Sequence, residues 1–412
     1  MNAIQELEAI AEPPLTRIER IKDEIAKGGD EAQQIRRLPD DTRDLLIDEG
    51  LFRFALPPEL GGEDASTLET IEILEAISAI DGSVGWNVML GSEINAMAAG
   101  GMPKELAKEV YIDNPRVVMC GGGGPGTKPT YAIEQPDGSV KVWGETTFIS
   151  GCHNSTWCFM NAPILDDGEP RKDANGMPIM RMWFLHRSQW EIIDTWDVGG
   201  LRGSGSHSVR AEGAVVEPKW TPVELVMMPA LYDNPVFRIP VPLRLSYNKV
   251  AVALGVAKGA LEAFYDVANN KVPMLTASKL RDRPIAQYRM AELTAKFRAA
   301  RSLVFDTMGA VEQELERGAE APGTQTTVDA RLACIYGAQA CMEVVDAIHA
   351  ACGTTASEMQ NPLERKLRDA HGCASHRWVA AHLYETLGGI LFGKEPDIEF
   401  AGAGGPGLGS KK

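Results

Sequence analysis

The sequence predicts an α+β protein made of three consecutive parts: an N-terminal helical domain, a central β domain of sandwich or barrel type, and a C-terminal four-helix bundle. Three observations predict this order. Apolar residues at helical spacing dominate the first part, short segments rich in β-branched and aromatic residues fill the middle, and four long helical patterns follow. The predicted boundaries are 1–115, 116–232 and 233–400, and residues 401–412 are expected to form a flexible tail.

The N-terminal part contains an amphipathic segment at 38–51 and then a long apolar stretch from residue 67 to about residue 100. Asp81 and Gly82 break this stretch. Its second half is apolar on nearly all sides, which is typical of a buried helix. Polar groups on such a helix need partners, and either helix–helix hydrogen bonds or the lining of a substrate pocket would supply them. The groups concerned belong to Trp86, Asn87, Ser92 and Asn95.

The middle and the end of the chain differ in the length of their apolar segments. Between about 116 and 218 the apolar segments are short and are separated by Gly, Asn, Asp and Pro, as expected for strands and turns. After about residue 243 the helical pattern returns in segments longer than most globular helices. The four predicted bundle helices cover 246–270, 284–318, 327–353 and 362–393.

Composition excludes several classes of function. The chain has 41 basic and 57 acidic residues, a net charge of −16, which argues against binding to nucleic acid or to anionic membranes. It has no apolar run long enough to cross a bilayer, and its acidic N-terminus lacks the pattern of a signal peptide. The 7 cysteines are scattered without a CxxC pair. We therefore expect a cytoplasmic protein without a metal site.

Two glycine-rich stretches could approach a bound cofactor closely. The first, at 120–126, includes Gly124 and follows a predicted strand, but it is not a GxGxxG motif opening a helix, so a dinucleotide-binding domain is excluded. The second, at 203–206, reads Gly-Ser-Gly-Ser and follows Arg202, which could meet a phosphate. A mobile loop and a structural turn are the alternatives for these two stretches.

Three motifs, in order along the chain, resemble the acyl-CoA dehydrogenase family. They read IDGSVGW at 80–86, GLRGSGSHSVRAEGAVVEP at 200–218 and NPLERKLRDAHGCASH at 361–376. The resemblance covers nearly the whole chain and implies that family's fold. The fold hosts acyl-CoA dehydrogenases and also oxygenases that use reduced flavin and O₂, so the residues of the site must decide between them.

Local departures from the dehydrogenase pattern favour the oxygenases. Many dehydrogenases carry a glutamate base where this chain has Arg377, whereas the flavin oxygenases carry a histidine at the place of His376. The segment FISGCHNSTW at 148–157 resembles the Phe-Ser-Ser-Gly…Trp segment of the oxygenases. The resemblance implies the oxygenase component of a two-component flavin-dependent monooxygenase. It would take reduced FAD or FMN from a separate reductase and, with O₂, hydroxylate a small aromatic or heteroaromatic substrate through a C4a-(hydro)peroxyflavin.

The resemblance also implies residue roles. Ser150 would approach flavin N5, and His376 would be the acid/base group. Trp157 would form a wall of the flavin site or fill the β core. If 362–393 is one helix, its spacing lets only one of its histidines face the site, and Gly372, one turn from His376, leaves space for a flat ring. The expected flavin contacts are Ser150, Gly151, Trp157, Gly124, Arg202, Ser204 and Ser206, and the expected substrate contacts are Trp86, Asn87 and Gly372.

Other expectations remain open at this point. Arg365 and Asp369 are spaced i,i+4 and are predicted to pair with each other. The family resemblance implies a homotetramer. An acyl-CoA dehydrogenase with a relocated base is the alternative function, and a non-enzymatic relative that uses the fold as a scaffold is a third reading.

Overall fold

The computed structural model has the three-part order that the sequence predicts, with helices first, strands in the middle and helices again at the end. It describes residues 12–174, 176–223, 232–397 and 400, so the predicted tail lies outside the described residues. Within these ranges no helix combines the length and the apolar character that crossing a membrane requires.

The N-terminal helices pack around a helix that is buried along almost its whole length. This helix begins at Asp81, whose side chain accepts the N–H of Val84 at 2.9 Å, so the break that the sequence predicts here is an N-cap. The preceding helix begins at a capping box formed by Ser66 and Glu69. The helices are α1 (Pro14–Arg20), α2 (Lys22–Ile35), α3 (Asp40–Asp48), α4 (Thr67–Ile80), α5 (Gly82–Gly101) and α6 (Lys104–Tyr111).

The central part contains two sheets that share one apolar core. The strands are β1 (Met119–Gly121), β2 (Gly124–Pro125), β3 (Tyr131–Glu134), β4 (Val140–Ile149), β5 (Trp157–Pro163), β6 (Leu165–Asp166), β7 (Glu169–Pro170), β8 (Met180–His186), β9 (Trp190–Ile193) and β10 (His207–Val216). The first sheet has the strand order β2-β4-β10-β9 with β3 paired to β4, the second has the order β1-β5-β8, and β6 and β7 form a hairpin.

A β-bulge lies at the end of β4. Thr146 pairs with Val209 and Ile149 pairs with His207, so β4 contains one residue more than β10 between these pairs. Phe148, inside the bulge, has φ 60° and is largely exposed. Bulges bend a strand and re-aim the side chains that follow. This bulge immediately precedes the turn that contains Ser150.

The C-terminal helices form the predicted bundle with one correction: the fourth helix is not continuous. It ends at Ala374, and a non-helical connection leads to a short final helix. Gln339 donates from Nε2 to the carbonyls of Ala374 (3.1 Å) and Val379 (3.3 Å), replacing bonds that a continuous helix would make. The helices are α7 (Val241–Asn270), α8 (Pro284–Glu316), α9 (Thr324–Cys352), α10 (Pro362–Ala374) and α11 (Leu383–Leu391).

The predicted pairing of Arg365 with Asp369 is also wrong. Arg365 forms ion pairs with Asp30 (2.8 Å) and Asp81 (3.3 Å) on the N-terminal helices. The buried carboxylate of Asp369 instead accepts the backbone N–H of Leu201 at 2.6 Å. A buried main-chain N–H needs an acceptor, and this requirement outweighs a weak pairing along one helix.

Candidate active site

The turn after β4 and the N-terminal part of α5 meet at a hydrogen bond between two predicted site residues. The indole Nε1–H of Trp86 donates to the hydroxyl of Ser150 at 3.2 Å, and both side chains are buried. The turn continues through Gly151, whose φ of 71° lies in the left-handed region that favours glycine. The two residues predicted to touch substrate and flavin therefore touch each other.

Two further serines extend this contact into a chain of hydroxyl groups. The Oγ atoms of Ser150 and Ser206 are 2.6 Å apart, and those of Ser206 and Ser204 are 2.7 Å apart. The loop that carries both serines curls tightly, because Leu201 (φ 51°) and Gly205 (φ 58°) are left-handed. The structure therefore brings all three predicted serines into one buried cluster.

His376 lies on the other side of Trp86. The two ring centroids are 5.2 Å apart with an edge-on angle of 64°. The backbone N–H of Trp378 points to Nδ1 of His376 at 3.4 Å, which favours the tautomer with the proton on Nε2. His376 belongs to the connection after α10, so the argument from helical spacing, which assumed one continuous helix over 362–393, does not apply to it.

The environment of His376 keeps its imidazole neutral. Burial is the main cause, and the positive charges of Lys249 and Arg377 add to it, so the pKa of His376 falls to about 3. A neutral imidazole with its proton on Nε2 offers a hydrogen-bond donor at neutral pH. This group can stabilise negative charge on a nearby oxygen without first carrying a charge itself.

Asn87 connects α5 to both loops of the site. Its Nδ2 donates to the carbonyls of Ser83 (2.9 Å) and Gly203 (3.2 Å), and its Oδ1 accepts from Nδ2 of Asn154 at 2.9 Å. The remaining amide oxygen of Asn154 is buried without a hydrogen-bond partner. Asn87 thus uses its amide to hold the loops, while Asn154 keeps an acceptor free beside Gly151.

A narrow recess lies at this point between α5 and the β domain. Its lining includes the polar residues Asn87, Ser150 and Asn154 and the apolar residues Phe52 and Val118. It is too tight to admit a water molecule. A ligand that enters here must therefore displace side chains from this recess.

Two predicted flavin contacts lie apart from this cluster. Trp157 packs against Trp220, with ring centroids 4.1 Å apart, and against the edge of His186 in the aromatic layer of the β domain. The carbonyl of Gly124 accepts the hydroxyl of Thr146 at 3.0 Å. The structure gives these residues partners within the sheets and does not bring them to Ser150.

Two more predicted residues are engaged elsewhere. Arg202 pairs with Asp197 at 2.8 Å and donates to the carbonyl of Gln33 at 3.0 Å. A Cβ atom added to Gly372 would lie 3.2 Å from Cγ of Leu201, so Leu201 occupies the space that was predicted for a flat ring. The break at Ala374 also separates Gly372 from His376 along the chain.

A buried ion pair near His376 was not predicted from the sequence. Glu93, on α5 beyond Trp86, accepts from Nζ of Lys249 at 2.5 Å and from Nδ2 of Asn248 at 2.7 Å. A carboxylate within the otherwise uncharged helix α5 is the signal that could have revealed it, because a buried charge requires a partner. Ser92 and Asn95 of the same helix bond to backbone groups instead.

Comparison with known proteins agrees with this architecture. Residues 18–111 match the acyl-CoA dehydrogenase N-terminal domain and residues 248–381 match the acyl-CoA dehydrogenase C-terminal domain. The crystal structure of 3-HSA hydroxylase from Rhodococcus sp. RHA1 has a TM-score of 0.81 and 23% identity, covering 94% of this chain and 99% of that one. The protein thus has the acyl-CoA dehydrogenase fold.

Proteins of similar sequence define the family more narrowly than the fold does. The chain is 33% identical to the indole-3-acetate monooxygenase of Acinetobacter baumannii over 84% of this chain and 85% of that protein. It is 27% identical to the p-hydroxyphenylacetate 3-hydroxylase, oxygenase component, of the same species over 93% of this chain and 90% of that protein. The chain belongs to the flavin-dependent monooxygenases of the acyl-CoA dehydrogenase fold, as the sequence motifs predicted.

The residues around Ser150 fit a flavin in chemical type. The polar edge of a reduced isoalloxazine ring carries N–H donors, which require hydrogen-bond acceptors. The hydroxyl of Ser150 and the unpartnered amide oxygen of Asn154 are such acceptors, and both line the same recess. Reduced flavin and O₂ are the cofactor and co-substrate of this family, as predicted.

Proposed function

We propose that this chain is the oxygenase component of a two-component system that hydroxylates a small aromatic or heteroaromatic compound with reduced flavin from a separate reductase. The names of its relatives support the substrate class, because they include indole-3-acetate monooxygenases and a p-hydroxyphenylacetate hydroxylase. The observation that carries the proposal is the position of Trp86, which contacts both Ser150 and His376.

In this proposal each residue has a separate task. Reduced flavin bound here would supply two electrons to O₂, so that one oxygen atom enters the substrate and the other leaves as water. The Ser150 hydroxyl accepts the N5–H of the flavin and holds that proton in place. His376 donates from Nε2 to the reacting oxygen, and Trp86 keeps the two groups at a fixed separation. The recess between these residues has no room for water before a ligand enters, and a site kept dry in this way would protect an oxygenation reaction from loss of peroxide.

The alternative, an acyl-CoA dehydrogenase with a relocated base, requires a free carboxylate at the site. Glu93 lies on the same helix as Trp86, but both its oxygens are engaged, by Lys249 and by Asn248. The dehydrogenase position itself holds Arg377. We therefore expect acyl-CoA thioesters to leave flavin bound to this protein oxidised. Bleaching of the flavin by an acyl-CoA under anaerobic conditions would favour the dehydrogenase.

Isotope transfer tests the proposed oxygenation directly. The purified protein is mixed with chemically reduced FAD or FMN, and then with ¹⁸O₂ and a panel that includes indole-3-acetate, p-hydroxyphenylacetate and simple phenols. We expect one product that contains a single ¹⁸O atom by mass spectrometry. Oxidation of the flavin with hydrogen peroxide as the sole product, for every compound on the panel, would contradict the proposed substrate class.

Matched variants connect the activity to the site. His376→Ala and Ser150→Ala are each expected to lower oxygenated product by about 100-fold, in the range seen when one transition-state hydrogen bond is lost. His382→Ala and Ser188→Ala remove the same groups from exposed positions and should leave the product yield unchanged. Equal yields for all four variants would remove Ser150 and His376 from the proposed site.

The proposal includes a homotetramer in a reducing cytoplasm. Large apolar side chains on the outside of the bundle support an interface between copies, among them Tyr265, Ile285 and Tyr288. All 7 cysteines are free and buried, as suits a compartment without disulfides. Light scattering should give a mass four times 44.6 kDa. A mass of 44.6 kDa at working concentration would exclude the tetramer.

A further inference from the structure

The side-chain amide of Asn87 has a fixed orientation. Its Nδ2 donates to the carbonyls of Ser83 at 2.9 Å and of Gly203 at 3.2 Å. If this amide were turned over, its oxygen would face two carbonyl oxygens, which carry no hydrogen to donate. The nitrogen of Asn87 therefore stays on the side of these two carbonyls, and its oxygen stays on the other side.

The fixed amide of Asn87 determines the orientation of Asn154 in turn. Oδ1 of Asn87 accepts from Nδ2 of Asn154 at 2.9 Å. If the amide of Asn154 were turned over, two amide oxygens would face each other at this distance, and neither could donate. The remaining Oδ1 of Asn154 is therefore an acceptor that cannot exchange places with a donor.

This acceptor is buried and unsatisfied. Asn154 is 7% exposed, and no donor among the described residues reaches its Oδ1. Asn154 lines the recess beside Ser150, which has no room for a water molecule that could satisfy this oxygen. Gly151 places no side chain beside the two amides, since a Cβ atom there would lie 3.3 Å from Oδ1 of Asn87. A ligand that brings a donor would therefore satisfy a group that the fold leaves unpaired.

We propose that Asn154 determines specificity: its fixed Oδ1 accepts a hydrogen bond from an N–H or O–H group of the molecule that enters the recess, and favours that molecule over an analogue without the donor. Two sources supply such a donor, the N–H groups of the flavin and the ring N–H or O–H of an indole or a phenol. The inference rests on the proposed function, which brings these molecules to the site.

Paired compounds test the substrate as the source of the donor. Indole-3-acetate and 1-methylindole-3-acetate differ in the ring N–H, and p-hydroxyphenylacetate and p-methoxyphenylacetate differ in the ring O–H. Dissociation constants are measured anaerobically with the full-length protein and reduced FAD or FMN. If the substrate supplies the donor, we expect the wild type to prefer the unmethylated compound about tenfold more strongly than Asn154→Leu does.

Flavin affinity tests the cofactor as the source. Dissociation constants for reduced and oxidised FAD and FMN are measured in the same variants without an aromatic compound. The hydrogen on N5 exists only in reduced flavin, so a loss of about tenfold in Asn154→Leu that is confined to reduced flavin would identify this N–H as the donor. The hydrogen on N3 exists in both redox states, so an equal loss for both would identify that group.

Two further variants separate the acceptor from general damage. Asn154→Asp keeps an oxygen toward the recess, and its protonated form can still donate to Oδ1 of Asn87, so it should restore the preference that Asn154→Leu loses. Asn234→Leu removes a buried amide whose Oδ1 already accepts the N–H of Val236 at 2.7 Å, and should leave every preference unchanged. Thermal unfolding verifies that each variant retains the fold.

The outcomes distinguish this inference from the function on which it rests. Unchanged preferences in both arms for Asn154→Leu, together with weaker flavin binding by Ser150→Ala, would overturn the role of Asn154 and keep the proposed flavin site. A loss in Asn154→Leu that Asn154→Asp does not restore would assign the effect to packing and would also overturn it. Unchanged flavin constants in Ser150→Ala would contradict the proposed site itself.

Discussion

The carboxylate of Asp369, on α10, accepts the backbone N–H of Leu201 across 168 residues of sequence. Leu201 is left-handed and opens the loop that carries Ser204 and Ser206. The second oxygen of Asp369 is buried without a hydrogen-bond partner. One side chain of the C-terminal helices therefore holds the loop that supplies the hydroxyl chain of the site.

This contact predicts a specific pH dependence of stability. Burial, followed by the charge of Asp81, raises the pKa of Asp369 to about 7. Between about pH 4 and pH 7 the folded chain holds a proton that the unfolded chain has released, so this carboxyl favours folding at low pH and loses that contribution as the pH rises. The loss has an upper bound of roughly 1.4 kcal/mol per pH unit.

Urea unfolding at pH 5 and pH 8 measures this dependence. Asp369→Asn stays neutral and should gain stability relative to the wild type as the pH rises. Asp266→Asn, an exposed position on α7, should follow the wild type at both values. If the free energies of unfolding of the wild type and Asp369→Asn differ by the same amount at the two pH values, Asp369 does not hold a proton in the folded chain.

The loop that carries Ser204 and Ser206 approaches α10 so closely that one added methyl group should have a large effect on stability. A Cβ atom added to Gly200 would lie 2.1 Å from the carbonyl oxygen of Arg368, which is backbone and cannot move aside freely. We expect Gly200→Ala to lower the free energy of unfolding by about 1–3 kcal/mol. Gly388→Ala, in a helix with open space around it, should raise it by roughly 0.5–1 kcal/mol. Equal stability of the two variants would contradict the packing.

The neutral state of His376 should be visible by NMR titration. Its pKa of about 3 predicts no change of its ring signals between pH 5 and pH 9, and His376→Ala assigns those signals. Because the unfolded chain binds a proton near pH 6.5 and the folded chain does not, His376 reduces stability as the pH falls from about 6.5 to about 3. A titration of His376 near pH 6.5 would show that its surroundings do not keep the ring neutral.

The ion pair of Glu93 and Lys249 predicts that substitutions of these two residues have strongly non-additive effects on the free energy of unfolding. Lys249→Met leaves a buried carboxylate unpaired and should cost about 3–5 kcal/mol of stability. Glu93→Gln combined with Lys249→Met removes both charges and should recover most of that loss. The double variant should also raise the pKa of His376, because Lys249 lowers it. Additive losses in urea unfolding would show that the two charges do not interact.

The elements of the fold could be predicted because their signals are local. Helical periodicity, the break at Asp81 and the short β-rich segments are each visible within a short stretch of sequence. The sequence alone therefore indicates helices, then sheets, then helices. The motifs around Ser150 and His376 also predicted the family. The catalytic roles of these two residues stay predictions.

Contacts between distant segments required the tertiary structure. Gln339 on a neighbouring helix stabilises the end of α10 at Ala374, and Leu201, rather than Arg365, provides the partner of Asp369. The pairing of Glu93 with Lys249 likewise joins two helices. A buried polar group takes whichever partner the packed chain places beside it, and spacing along one helix cannot reveal a partner that another element supplies.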